Sequence, residues 1–283
     1  MNIVIADNSG FCFGVNRAVD KAYAELAHSE KLYSLGPLIH NPEVIGNLTA
    51  MGLQIIENEN ECTCNQKVLI RTHGVSKDVY EVLRRKNDEI IDMTCPFVKR
   101  VQHIANKYYK EGYKVIIIGN KNHPEVIGVN GWVDNSAIIF ESIDEAKQIN
   151  SIDRACIVAQ TTLKEETFNE IVGILTDKVK DIQIFNTICN ATRERQRSAF
   201  ELSKKVDMMV IVGGYNSSNT KKLYEICKEN CKNTFFIENK SDLTDIDYKK
   251  YNNIGISAGA STPDWVIQEV IESIKDASSN SKM

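Results

Sequence analysis

This 283-residue chain has no apolar run long enough to cross a membrane: residues 115–118 and 208–212 are its most apolar stretches, and a spanning helix needs ~20 residues. It also lacks a surplus of positive charge, with 34 Lys and Arg against 38 Asp and Glu and a net charge of −4. Such a field does not draw a polyanion, so neither nucleic acid nor membrane is an expected partner. No basic segment precedes an apolar one in Met1-Asn2-Ile3-Val4-Ile5, so no leader is read and the expected location is the cytoplasm. No stretch rich in proline or glycine marks a linker, and only the tail from about residue 278 reads as unstructured. Neither G-x-x-x-x-G-K-[ST] nor G-x-G-x-x-G occurs, which leaves nucleotide binding without a motif.

What is present is ordinary globular composition, 42% hydrophobic and 25% charged, in a chain whose folding buries roughly three-quarters of the unfolded surface. Short apolar runs at residues 2–6, 67–71, 89–92, 114–118, 155–159, 182–185, 207–212 and 253–257 end in small or polar residues, and helical periodicity follows. That rhythm predicts an α/β fold with largely parallel strands, whose ligands gather in the loops beyond the strands' carboxyl ends. Three such junctions carry a cysteine that opens a helical stretch: Cys12, Cys95 and Cys189. They recur about every ninety residues, and His40-Asn41-Pro42-Glu43-Val44-Ile45-Gly46 is echoed by His123-Pro124-Glu125-Val126-Ile127-Gly128. The expected organisation is three similar α/β lobes, residues 1–95, 96–190 and 191–283, around a common axis that equivalent junctions face.

Eight cysteines in a reducing compartment point to thiolate chemistry or plain burial, not to a disulfide framework. A helix amino terminus favours the thiolate, and Pro96 suits the first helical position after Cys95. Arg17, Lys99, Arg100 and Arg193 follow the three cysteines at four or five positions and add positive charge. Three thiolates can hold an iron–sulfur cubane by three corners, leaving the fourth iron for a substrate. The competing reading is three small buried apolar side chains. Cys62-x-Cys64 and Cys227-x3-Cys231 have neither the spacing nor the paired histidine of a zinc site, and Cys156 reads as core.

His40, His73 and His123 occupy loops stiffened by adjacent Pro or Gly, where an imidazole serves as anion donor, acid, base or metal ligand. Two further loops, residues 213–220 with Ser217, Ser218 and Asn219, and residues 257–263 with Ser261, follow strands and are dense in hydrogen-bond donors. Together with a helix dipole they seat a phosphate, although capped turns look the same one at a time. Glu43 and Glu125 each follow a histidine–proline element, and periodicity does not choose between them as general acid. Thr161 and Thr162 end a strand where they can relay a proton.

As a set these residues resemble the 4-hydroxy-3-methylbut-2-enyl diphosphate reductase (LytB) family over essentially the whole chain. The resemblance rests on Gly10-Phe11-Cys12-Phe13-Gly14-Val15, Leu38-Ile39-His40-Asn41, Arg71-Thr72-His73-Gly74, Asp92-Met93-Thr94-Cys95-Pro96 and His123-Pro124-Glu125. It continues through Gln160-Thr161-Thr162, Thr187-Ile188-Cys189-Asn190, Tyr215-Asn216-Ser217-Ser218-Asn219-Thr220 and Ser257-Ala258-Gly259-Ala260-Ser261-Thr262-Pro263. It implies a pseudo-threefold trefoil of α/β lobes around a central [4Fe–4S] cluster held by Cys12, Cys95 and Cys189. It further implies that His40, His73, His123, Thr161, Ser217, Ser218, Asn219 and Ser261 bind an allylic diphosphate. Glu125 with Thr161 would protonate the leaving hydroxyl, and reduced ferredoxin or flavodoxin would supply electrons for making isopentenyl and dimethylallyl diphosphate. Three rivals stand beside this expectation. An iron–sulfur hydro-lyase would consume no reductant, a non-catalytic iron–sulfur sensor has no need of the anion loops, and a zinc-stabilised binding protein would carry no iron.

Overall fold

Apolar residues on both faces of a run such as Met208–Val212, all buried, require a strand covered by helices on each side, the environment of parallel sheets. The computed structural model describes residues 1–29, 31–63, 66–86 and 89–279. To residue 92 the elements are β1 (Asn2–Ile5), α1 (Phe13–Leu26), β2 (Leu32–Leu35), α2 (Pro42–Ala50), β3 (Leu53–Ile56), β4 (Val68–Ile70), α3 (Lys77–Lys86) and β5 (Ile90–Asp92). Next come α4 (Pro96–Lys110), β6 (Lys114–Ile118), α5 (Pro124–Gly131), β7 (Ile138–Phe140), α6 (Ile143–Lys147), β8 (Ile152–Ala159), α7 (Glu165–Thr176) and β9 (Val179–Ile184). The last stretch holds α8 (Asn190–Ser203), β10 (Met208–Val212), α9 (Ser218–Asn230), β11 (Thr234–Ile237), β12 (Asn253–Ala258) and α10 (Asp264–Ser279). Residues 278 and 279, expected to be unstructured, belong to α10, which runs to Ser279; residues 280–283 lie outside the described residues.

These strands form three four-stranded parallel sheets in the orders β3-β2-β4-β5, β7-β6-β8-β9 and β11-β10-β12-β1. The order is the same each time: second, first, third and fourth strand of a repeat. In the third sheet the fourth strand comes from the start of the chain, so the triplication read from sequence is a threefold repeat with one strand permuted. β1 therefore pairs with β12, not with the strands of residues 32–92, which differs from a lobe spanning 1–95. Each of the three cysteines follows the fourth strand of its sheet: Cys95 after β5, Cys189 after β9 and Cys12 after β1.

Side chains alternate across a strand, and both faces are apolar here. On β6, Ile116 and Ile118 pack with Phe168, Ile171 and Leu175, while Val115 and Ile117 meet Val101, Ala105 and Val126. β10 repeats the pattern, with Met208, Val210 and Val212 against α10 residues Val266, Val270 and Ile274, and Met209 and Ile211 against Ala199 and Leu223. Each fully buried aliphatic side chain stabilises by roughly 1.5–3 kcal/mol. The chain forms two compact units, one of residues 1–16, 39–46 and 190–283 with the sheet containing β1, the other of residues 17–38 and 47–189 with the remaining two sheets. Among the described residues no helix is long and apolar enough to cross a membrane.

Candidate functional site

In the first unit the loops after β10 and β12 approach each other and the segment of residues 39–46. Gly214 has no room for a side chain: a Cβ there would lie 2.4 Å from the His40 carbonyl oxygen. Ser261 Oγ donates to that same carbonyl at 3.1 Å, which ties the loop after β12 to His40. Ser217 caps α9, its Oγ accepting from the Thr220 N–H at 3.3 Å, and Ser218 opens the helix. Asn219 is buried, and neither its Nδ2 nor its Oδ1 has a hydrogen-bond partner. A buried amide left unsatisfied costs about 1–3 kcal/mol, and at a helix amino terminus it is free to meet a polar ligand. Glu43, the other candidate acid, is only half-buried and accepts from Asn239 Nδ2 at 3.1 Å.

The second unit holds Glu125, His73 and His123. His123 caps α5, ahead of Pro124 in the first turn, and its Nδ1 accepts from the Glu125 N–H at 3.2 Å. Nδ1 is thereby committed as acceptor, which leaves Nε2 as the protonated, donating nitrogen. The His73 ring meets His123 edge-on, centroids 5.3 Å apart. Glu125 is 2% exposed, and both carboxyl oxygens are held by Thr161, whose N–H donates to Oε1 at 2.6 Å and whose hydroxyl donates to Oε2 at 2.7 Å. Burial pushes its pKa from 4.5 up to about 7, although both bonds from Thr161 pull it down. A carboxyl group that changes protonation near neutrality is an acid in reserve. The structure therefore separates the two glutamates that the sequence left equivalent.

The seven described cysteines carry thiols and fall into two groups; Cys64 lies outside the described residues. Cys62, Cys156, Cys227 and Cys231 are buried in apolar clusters, and burial pushes the Cys156 and Cys227 thiols up to about 12. Cys227 and Cys231 sit among Ala199, Met209, Ile211 and Leu223, an apolar environment. Cys12, Cys95 and Cys189 are only half-buried and stand at helix amino termini, Cys95 capping α4. Main-chain bonds hold each: Cys12 N–H to Ala260 O at 3.2 Å, Cys95 N–H to Thr72 O at 2.9 Å, Cys189 N–H to Thr161 O at 3.1 Å. Each is a half-buried thiol at a helix amino terminus, an environment in which a thiolate can ligate iron. Lys99 adds less charge than expected, since it pairs with Asp92 at 2.6 Å. A cavity of about 460 Å³ bordered by Tyr113, Lys114 and Arg154 sits at the amino ends of β6 and β8 and takes no part in these loops.

Sequence reasoning missed two features. Gly214 reads only as part of a donor-rich phosphate loop, because its packing depends on a neighbour some 170 residues away, and Arg195 only as one of the series Arg193, Arg195 and Arg197, a dock for an acidic electron donor or a solvated face. Arg195 is 3% exposed and donates to the Gly10 carbonyl.

Parallel sheets with polar loops beyond their strands' carboxyl ends, and a buried carboxyl group that changes protonation near neutrality, place the chain in the class of α/β enzymes. Within that class it belongs to the LytB protein family, whose model matches residues 3–275. A 4-hydroxy-3-methylbut-2-enyl diphosphate reductase of Thermoanaerobacter sp. (strain X514) is 52% identical over 279 residues, covering 97% of each chain. The solved E-1-hydroxy-2-methyl-but-2-enyl-4-diphosphate reductase from Plasmodium falciparum superposes with a TM-score of 0.90 at 29% identity, over 96% of this chain and 87% of that one. A second solved structure, of the (E)-4-hydroxy-3-methyl-but-2-enyl diphosphate reductase described as the terminal enzyme of the non-mevalonate pathway, is 42% identical with a TM-score of 0.68, over 98% of this chain and all of that one.

Proposed function

We propose that this chain is an oxidoreductase that removes the allylic hydroxyl of 4-hydroxy-3-methylbut-2-enyl diphosphate, giving isopentenyl and dimethylallyl diphosphate in the last step of the methylerythritol phosphate route. Two electrons and two protons enter and one water leaves. The family and the names of its relatives support the reaction. The observation that carries the assignment of roles is Glu125, buried, gripped through both oxygens by Thr161 and titrating near neutrality.

A [4Fe–4S] cluster on Cys12, Cys95 and Cys189 would supply, when bound, Lewis acidity toward the hydroxyl oxygen and the path for electrons. Glu125 holds the proton that turns hydroxide, a poor leaving group, into water, and the Thr161 hydroxyl orients it. His40, His73, His123, Ser217, Ser218, Asn219 and Ser261 bind the diphosphate and fix the carbon chain, where orientation alone removes several kcal/mol of barrier. Cytoplasmic reduced ferredoxin or flavodoxin provides the electrons. Glu125→Gln is expected to keep iron and diphosphate binding while turnover falls by roughly 10² to 10⁴. The assay follows product and reductant together: near-normal turnover overturns the proton role, and product formed without oxidation of reductant overturns the reductase reading in favour of a hydro-lyase.

A further inference from the structure

The echo between the two histidine–proline–glutamate segments breaks at its last residue. Gly46 on α2 faces open space, with no atom within 4 Å of where its Cβ would stand. Gly128, its counterpart on α5, lies against main chain: a Cβ there would sit 3.5 Å from Val75 C and 3.6 Å from His73 O. One turn on, Gly131 has no room for a side chain, because its Cβ would run into the side chain of Ser76. This face of α5 therefore receives the loop of residues 73–76 at close range, and hydrogen bonds fasten it there. Trp132, which ends α5, donates from Nε1 to Val75 O at 3.0 Å, and Gln102 on α4 donates from Nε2 to the same oxygen at 3.4 Å. A carbonyl oxygen has two lone pairs, and these two bonds use both. Gly74 completes the fit: its φ of +72° suits glycine, and a Cβ there would lie 2.7 Å from Gln102 Nε2.

The consequence is a fixed distance between two rings. At its amino end α5 carries His123 and Glu125; at its carboxyl end it grips the loop that starts with His73, two residues ahead of Val75. A histidine on an untethered loop would surrender backbone freedom each time it met an anion, whereas a clasped loop has surrendered it on folding. We infer that Trp132 and Gln102 are positioning residues for His73. By clasping the Val75 carbonyl they tie the His73 loop to the helix that presents His123, and so hold the two imidazoles edge-on, centroids 5.3 Å apart, where both can meet one diphosphate. This rests on the reading that His73 and His123 bind the diphosphate.

The test measures the dissociation constant of inorganic diphosphate by calorimetry on anaerobically loaded enzyme, with KM and kcat alongside. Trp132→Phe keeps a ring and removes the N–H; it is expected to weaken diphosphate binding and to raise KM, each about fivefold, with kcat within about twofold of wild type. Gly131→Ala, which pushes Ser76 off α5, is expected to do the same, while Gly46→Ala leaves both at their wild-type values. A residue that acts through His73 has nothing left to act on once that ring is gone, so adding Trp132→Phe to His73→Ala is expected to weaken binding no further. Additive losses in that double variant, or wild-type diphosphate affinity in Trp132→Phe, overturn the inference. Should Trp132→Phe fail to fold, wild-type affinity in Gly131→Ala overturns it alone. A His73→Ala variant that binds diphosphate as tightly as wild type defeats the reading of His73 as a diphosphate ligand, and the inference with it.

Discussion

At the residue scale the chemistry turns on one carboxyl group. Burial raises the Glu125 pKa to about 7, whereas the unfolded chain titrates it near 4.5. The native state binds that proton more tightly, so this group's contribution to stability is complete below pH 4.5 and is lost as pH rises through 7, a change of about 3 kcal/mol. Urea denaturation of the metal-free protein between pH 5 and 8 should show this decline in the wild type and not in Glu125→Gln. Thr161→Val sharpens the point. The Thr161 hydroxyl holds the ionised form, and its loss moves the pKa further up, by about one unit if the bond is worth about 1.5 kcal/mol. The alkaline fall of kcat then shifts to higher pH. A downward shift would mean that the hydroxyl serves the protonated form, contrary to the assignment here.

At the element scale, the loops matter through what they exclude. Gly214 lets the turn before α9 lie against the His40 carbonyl; Gly173, inside α7, has no atom within 4 Å of where its Cβ would stand. Gly214→Ala should therefore cost about 1–3 kcal/mol and raise KM by displacing His40 from the α9 amino terminus. Gly173→Ala should stabilise by about 0.5–1 kcal/mol with KM unchanged. Equal responses in denaturation and KM would show that the loops are not packed as described. The same contrast explains what the sequence made legible. Fully buried strands such as β6, β8, β10 and β12 announce themselves as apolar runs, because helices cover both faces. The three- and four-residue strands β3, β7 and β11 lie at sheet edges, where a short run has too few residues to show a period, and β2 hides behind Tyr33 and Ser34. The histidine–proline–glutamate echo marked two equal helix starts, and only a partner 36 residues away, Thr161, distinguishes Glu125 from Glu43.

At the scale of the whole molecule, three equivalent sheets offer three equivalent junctions, and a chain that repeats its strand order repeats the place of its cysteine. The recurrence was readable from spacing. The permutation of β1 was not, because a four-residue apolar strand carries no record of which sheet it joins and its partner β12 lies at the other end of the chain. That geometry sorts the cysteines by environment, and the sorting makes a prediction for the set. Cys12→Ser, Cys95→Ser and Cys189→Ser each remove a half-buried thiol at a helix amino terminus, where a hydroxyl is well solvated but a poor iron ligand; anaerobic iron and sulfide content should collapse while metal-free stability changes by less than about 1 kcal/mol. Cys156→Ser and Cys227→Ser place a hydroxyl among apolar neighbours and should cost about 1–3 kcal/mol with iron content kept. Each measurement falls for one group of cysteines and holds for the other. Iron lost with Cys156 or Cys227 in a folded protein, or retained after loss of Cys12, Cys95 or Cys189, would break the link between repeat position and ligation.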